Sequence, residues 1–169
     1  MAEICQIRLM VNADLERVLA WRNHSEVRRY MLTQHEITLD EHRQWFERNS
    51  QDPMRRLLIV EEDDMALGFV HFKGVESGAI SDWGFYAAPG VQKGSGRKLG
   101  MKALNFAFQE LELHKVCGQA LAFNEASVRF HRKLGFQQEG VLRQQLQIDG
   151  TYHDLICFGI LHDEWPAQS

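Results

Sequence analysis

Apolar and polar positions first alternate over Cys5-Gln6-Ile7-Arg8-Leu9, the two-residue period of a half-buried strand. Leu15, Val18, Leu19 and Arg22 then share one helical face, behind an Asn12 suited to cap that helix. Thr38 and Glu41 have the spacing of a capping box. The helix they open turns Trp45 and Phe46 inward and ends near Asn49 to Pro53. Three short runs rich in β-branched and aromatic residues follow: Leu57 to Glu61, Leu67 to Lys73 and Ile80 to Tyr86. Glu62-Asp63-Asp64 and Gly74 to Gly78 separate them, so hairpin-linked antiparallel strands are expected. Beyond a glycine-rich turn at Gly90 to Gly96, apolar Leu99, Ala103, Phe106, Ala107 and Leu111 recur at helical spacing. Val116 to Ala122 reads as a buried strand, and Asn124 opens another helix that Gly135 ends. Gly140 to Leu161 reads as a hairpin turning at Asp149-Gly150.

The order is strand, two helices, three strands, helix, strand, helix, two strands. It predicts an α/β (α+β) class, a mixed sheet with helices on its faces. No repeat, low-complexity tract or linker divides the 169 residues, so one domain over 1–169 is expected. The 44% apolar and 25% charged residues are the balance of a packed globular chain. A net charge of −4 without a basic run argues against a nucleic-acid partner. No apolar run is long enough for a membrane span, and no leader pattern opens the chain, which suggests a cytoplasmic protein with no membrane partner. Cys5, Cys117 and Cys157 lie far apart in apolar stretches and read as buried thiols of a reducing compartment. The eight histidines are scattered without HExxH or paired Cys/His spacing, so no metal is implied.

Chemistry is concentrated in two places. Gly90-Val91-Gln92-Lys93-Gly94-Ser95-Gly96-Arg97-Lys98-Leu99-Gly100 lies between a strand and a long helix. Glycines there let backbone N–H groups approach an anion, and the helix N-terminus adds favourable partial charge, so pyrophosphate is a candidate ligand. The segment lacks the Gly-Lys-Ser/Thr of a P-loop, and its third glycine comes one place too late for GxGxxG, which points away from ATP and NAD. The second place is Asn124-Glu125-Ala126-Ser127-Val128-Arg129-Phe130-His131-Arg132-Lys133-Leu134-Gly135-Phe136, a helix after a buried strand.

Together these segments resemble the GNAT acetyltransferase superfamily across the whole domain. The resemblance implies an acyl-CoA N-acyltransferase fold, in which two parallel strands of the central sheet splay apart and helices flank the sheet. It implies acetyl-CoA as co-substrate and direct attack by a primary amine. Carried over, the backbone of Gln92, Lys93, Gly94, Ser95, Gly96 and Arg97 would hold the pyrophosphate, and Asn124 and Ser127 would line the pantetheine. Val91 departs from the Arg or Gln usual three residues before Gly94. His131 stands where many members carry a tyrosine that protonates the departing thiolate, and an imidazolium can donate that proton. Asp82 and Glu125 are the acidic candidates for taking the amine proton, with ordered water as the alternative. A backbone N–H around Tyr86 or Ala87 would meet the oxyanion. Cys117, in an apolar strand, is not expected to serve as a nucleophile.

Leu19-Ala20-Trp21-Arg22-Asn23, Glu26 to Met31, Ile37-Thr38, Glu41-His42 with Trp45, Asp82-Trp83-Gly84 and Glu164-Trp165 resemble a narrower group, the acetyltransferases of pseudaminic acid synthesis. That resemblance implies a nucleotide-sugar acceptor, the 4-amino group of UDP-4-amino-4,6-dideoxy-N-acetyl-β-L-altrosamine. Arg22, Arg28 and Arg29 can pair with a diphosphate, and Tyr30, Trp45 and Trp83 offer flat surfaces to uracil or a sugar ring. The Asn-x-x-Ser helix and Glu139-Gly140…Asp149-Gly150-x-Tyr152…Asp154 also resemble acetyltransferases of ribosomal-protein N-termini. A non-catalytic acyl-CoA-binding module is a third alternative. Exposed sheet edges in this fold also suggest a homodimer.

Overall fold

The computed structural model describes residue 2 and residues 4–166. Seven strands form one sheet: β1 (Cys5–Leu9), β2 (Arg55–Glu62), β3 (Met65–Lys73), β4 (Ile80–Ala87), β5 (Lys115–Leu121), β6 (Gln137–Ile148) and β7 (Thr151–Leu161). Their spatial order is β1-β2-β3-β4-β5-β7-β6, and only β4 and β5 pair in parallel. Five helices flank the sheet: α1 (Leu15–Asn23), α2 (Ser25–Arg28), α3 (Leu39–Ser50), α4 (Ser95–Asn105) and α5 (Glu125–Leu134). The mixed sheet and the predicted element order are therefore present, with the four-residue α2 as an addition.

The centre of β2 explains how one strand serves two cores. Leu57, Leu58, Ile59 and Val60 are all at most 5% exposed. Because successive side chains alternate faces, Leu57 and Ile59 join Met10, Val18, Phe46 and Phe69, the side covered by α1 and α3. Leu58 and Val60 join Val70, Phe72, Leu99, Ala103 and Phe136, the side covered by α4 and α5. Helices on both faces make the central strands read as continuous apolar runs rather than alternating ones.

Local signals explain most boundaries. The α3 capping box forms as expected: the Glu41 N–H donates to Thr38 Oγ1 at 3.2 Å and the Thr38 N–H to Glu41 Oε2 at 2.7 Å. Phe46 is buried and Trp45 half-buried, its edge on Phe69. Three boundaries differ from the sequence reading. Asn12 does not cap α1, because it lies inside a short 3-10 turn, Asn12–Asp14. Asp14 stands at the N-cap of α1 without a side-chain bond to that helix; its carboxylate instead accepts the Val11 N–H at 2.8 Å, and Arg8 and Arg17 donate to it. The α-helical part of α4 stops at Asn105, and Phe106–Glu110 continue as a π-helical turn closed by the Leu111 N–H on Phe106 O at 3.0 Å. β6 starts at Gln137 rather than Gly140, and its register with β7 shifts twice, between Gln138 and Gly140 and between Leu142 and Leu146. The hairpin does turn at Asp149-Gly150, whose positive φ values of 48° and 80° fit a primed two-residue turn. Among the described residues no helix is long and apolar enough to cross a membrane.

Candidate active site

Parallel pairing between β4 and β5 lasts for only three residue pairs, from Ile80↔Lys115 to Asp82↔Cys117. Beyond them the strands part, and the gap opens into a cleft of about 730 Å³ lined from β4, β5, α4, α5 and the segment 26–32. The sheet's own alternation says which backbone groups face this gap. The Ala88 N–H donates to Leu67 O, so Tyr86 and Gly84 spend their backbone groups on β3, while Phe85 and Ala87 turn theirs toward β5. The Ala122 N–H donates to Asp154 O, so Gly118 and Ala120 bond to β7, while Cys117, Gln119 and Leu121 turn theirs toward β4. The cleft walls thus carry backbone donors and acceptors without sheet partners, a fit for an extended, amide-bearing ligand. Of the two amides singled out for an oxyanion, that of Ala87 points into the cleft and that of Tyr86 does not.

At one end of the cleft the glycine turn meets α4. Gly94 has φ 94°, a conformation costly for any residue with a Cβ, and as N-cap it offers no side chain to the first-turn N–H groups. Gly96 lines the cleft with ordinary φ, and a Cβ there would meet nothing nearer than Phe130 at 4.0 Å. Neither packing nor backbone strain demands glycine at 96, and the space left open is what a pyrophosphate needs. Gly96→Ala should therefore fold with wild-type stability but bind acetyl-CoA at least about tenfold more weakly, the equivalent of ~1.4 kcal/mol. Isothermal titration checks this, and equal affinity would remove the turn from the binding site. Gln92, Lys93, Gly94 and Arg97 are exposed around the same turn, and Ser95 is buried with its N–H on Gln92 O.

On α5, Asn124 caps the helix by accepting the Ser127 N–H at 3.2 Å, and both residues line the cleft, as does His131. His131 is 1% exposed. Its Nδ1 lies 2.8 Å from Ser127 O, which only accepts, so the ring carries its proton on Nδ1. Nε2 then has a lone pair and accepts the Trp83 Nε1–H at 3.2 Å. Burial pushes its pKa down, against the pull of Ser127 O. In this geometry the ring holds no proton directed at a leaving thiolate: it is a fixed, neutral hydrogen-bonding member of the cleft floor. Phe158 stacks on it at 4.8 Å, and Gly118 on β5 leaves the rings their room.

The acidic candidates separate. Asp82 lines the cleft at its paired end, whereas exposed Glu125 is absent from the lining. Cys117 also lines the cleft, and burial pushes its thiol pKa up, which keeps it protonated and a poor nucleophile.

The acceptor candidates separate as well. Tyr30 lines the cleft beside Glu26, Val27, Met31 and Leu32. Arg22 does not: it is 7% exposed and donates to Thr33 O at 2.8 Å. Next to it, the Asn23 side chain holds Ile37 with two 2.8 Å bonds, one each way. Arg22 and Asn23 thus anchor the loop that walls the cleft rather than presenting a charge to it. Arg28 faces Glu36, and Arg29 donates to the Tyr30 hydroxyl, its guanidinium 4.4 Å from that ring's centroid. Trp45 stacks on His42 and is absent from the lining, whereas Trp83 does line the cleft but is 6% exposed and packed between Phe130 and Phe136, which leaves no open ring face.

One lining residue was not legible in the sequence. His71, half-buried on β3, stands opposite Gly84. Burial first, then Arg55, pushes its pKa down to about 4. Its signal would have been a histidine facing a cross-strand glycine, which requires the β3–β4 register. Buried His42 is likewise held low by desolvation. All three of these histidines are neutral when folded at pH 7. Their unfolded forms bind protons below about pH 6.5, so stability is full above that value and falls as the pH drops toward the lowered folded pKa values. Calorimetry should show the melting temperature falling between pH 7 and 5, before carboxylates titrate, with protons taken up on unfolding.

Among the described residues no group of three or more His, Cys, Asp or Glu could hold a metal ion. Residues 6–137 match the family described as "Acetyltransferase (GNAT) domain". The uncharacterized N-acetyltransferase YokL of Bacillus subtilis (strain 168) is 33% identical over 75% of this chain and 72% of its own. The acetyltransferase PseH of Campylobacter jejuni is 24% identical over 73% of this chain and 76% of its own. A crystal structure of spermidine N-acetyltransferase from Vibrio cholerae, in complex with CoA and spermine, superposes with a TM-score of 0.87 at 24% identity, covering 95% of this chain and 96% of that one.

Proposed function

Since this chain belongs to the GNAT acetyltransferase family and is an acetyl-CoA-dependent N-acetyltransferase, we propose that its acceptor is the 4-amino group of a UDP-linked 4-amino-4,6-dideoxy sugar, of the kind acetylated in pseudaminic acid synthesis. The observation that carries this reading is the distribution of charge along segment 26–32. Tyr30, Met31 and Leu32 line the cleft, and no arginine or lysine does, while exposed Arg29 and half-buried Arg28 lie on the same segment outside the lining. A deoxysugar ring suits the apolar stretch of Tyr30, Met31 and Leu32, and a diphosphate suits guanidiniums outside the lining. The similarity to PseH supports the same acceptor.

In the reaction, the neutral amine attacks the thioester carbonyl, the Ala87 amide offers an N–H toward the forming oxyanion, and the C–S bond breaks to release CoA thiolate, which water protonates. Cys117 takes no part. Acetyl-CoA would lie between Phe85-to-Ala87 and Gln119-to-Leu121, its pyrophosphate at the glycine turn.

A second reading rests on Glu26 and Asp82, the carboxylates that line the cleft. They suit a polyamine, the substrate class named for the Vibrio cholerae relative. Thiol release from acetyl-CoA should be measured with the UDP-4-amino sugar, spermidine and a ribosomal N-terminal peptide in parallel. Turnover on the sugar nucleotide, lowered in Arg28→Ala and Arg29→Ala mainly through KM, is the expected result. Turnover on spermidine or the peptide alone would replace the proposed acceptor, and acetyl-CoA binding without any turnover would leave only a binding module.

A further inference from the structure

We propose that His71 is the group that takes the proton from the acceptor amine. In the β3–β4 register Phe69 faces Tyr86 and His71 faces Gly84, so these four side-chain positions share the α1/α3 side of the sheet. The same side receives segment 26–32, whose Glu26, Val27, Tyr30, Met31 and Leu32 line the cleft together with His71 and Tyr86. His71 therefore stands on the acceptor side, while His131 and Trp83 belong to the opposite face with α4 and α5.

Gly84 gives the imidazole its place. A Cβ on Gly84 would stand 2.1 Å from His71 Nε2, so the ring lies across the glycine backbone of β4, the strand that bounds the cleft. Phe69 stacks beside it, centroids 5.8 Å apart at 29°. No hydrogen bond joins either ring nitrogen to a described residue. That is unlike His131, whose two nitrogens are both engaged, and unlike Asp82, which sits at the paired end of the strands. Of the charged groups, Arg55 on β2 acts on the ring, while Tyr86 and Asp82 on β4 and Glu26 on α2 share the cleft lining with it. Arg55 and burial both favour the neutral ring, so a lone pair is present throughout the physiological range.

The step balances without further reactants. The amine lone pair forms the C–N bond, the carbonyl pair moves onto oxygen and returns, and the C–S pair leaves with the thiolate. As nitrogen bonds to the carbonyl carbon its remaining N–H becomes acidic, and that proton passes to His71, then to water.

The proposal rests on amine acetylation as the reaction, not on which amine is used. With whichever amine of the panel gives the highest wild-type turnover, His71→Gln and His71→Ala should lower kcat by at least about 10²-fold while the acetyl-CoA Kd stays near its wild-type value. Imidazole added to His71→Ala should restore part of the loss, which a purely structural role would not allow. A kcat within about threefold of wild type in a folded variant, or equal loss of acetyl-CoA binding without rescue, overturns it. The wild-type protein supplies an independent measurement by nitrogen NMR of the His71 ring, which needs neither variant nor acceptor. A neutral ring from pH 7 to 5.5 is expected, and a ring protonated at pH 6.5 would overturn the assignment even if every amine in the panel failed.

Discussion

Gly118→Ala should cost about 2–4 kcal/mol of folding stability and weaken acetyl-CoA binding. A Cβ at 118 would stand 2.5 Å from His131 Nε2 and 2.6 Å from Trp83 Nε1, inside the van der Waals surfaces of both rings. Neither ring can step aside cheaply. Trp83 is held by Phe85, Phe130 and Phe136, and His131 is stacked at 5° on Phe158 with its Nδ1–H on Ser127 O. Overpacking of this kind costs about 1–3 kcal/mol, and the lost Trp83–His131 hydrogen bond adds about 1. Because the same rings line the cleft, acetyl-CoA affinity should fall with stability. Urea unfolding gives the first quantity and titration the second; an unchanged midpoint would show that the floor yields where close packing says it cannot.

The other large effect lies at the far end of the sheet. Asp14→Ala should destabilise by about 2–4 kcal/mol, because hydrogen bonds to a charged group are worth about 1.5–3 each and the lost cap on Val11 about 1 more, less what the released arginines regain in water. The carboxylate is 2% exposed and takes bonds from Val11, Arg8 and Arg17. Arg8 and Arg17 keep 35% and 38% of their side-chain surface, which moderates the loss. Burial alone would raise this acid's pKa, but Arg8, the Val11 N–H and Arg17 hold it well below the usual carboxylate range. Its contribution is complete above the unfolded value near 3.9 and fades as the pH falls below it. The variant should therefore lose stability at pH 7 and be less acid-sensitive below pH 4 than wild type. Denaturant titrations at pH 7 and 3 compare the two, and equal acid sensitivity would contradict the assignment.

How far the sequence carried depends on whether a feature is local. The Thr38–Glu41 cap, the Asp149-Gly150 turn, the α4 stripe and the glycine turn each depend on residues a few positions apart, and each stands where expected. The start of the first helix was misplaced, since Asn12 has a capping side chain but lies inside a 3-10 turn, and the bonds Asp14 takes from Arg8 depend on a residue of β1. Function followed the same division. Gly96, Asn124, Ser127 and Tyr30 reach the cleft because they sit at element ends that the fold itself opens. Arg22, Trp45 and Trp83 carried the chemistry of binding groups, but their surroundings consume it: a carbonyl, a histidine ring and two phenylalanines. His71 was invisible because its meaning comes from a glycine thirteen residues later on another strand.

The ties from Arg22 to Thr33 and from Asn23 to Ile37 have a consequence for engineering the acceptor side. They clamp both ends of residues 24–36, so the interior of that stretch can change while the clamps hold its position against the sheet. A new acceptor could be acquired by rewriting residues 26–32 between fixed anchors, leaving the coenzyme machinery on the other face of the sheet untouched.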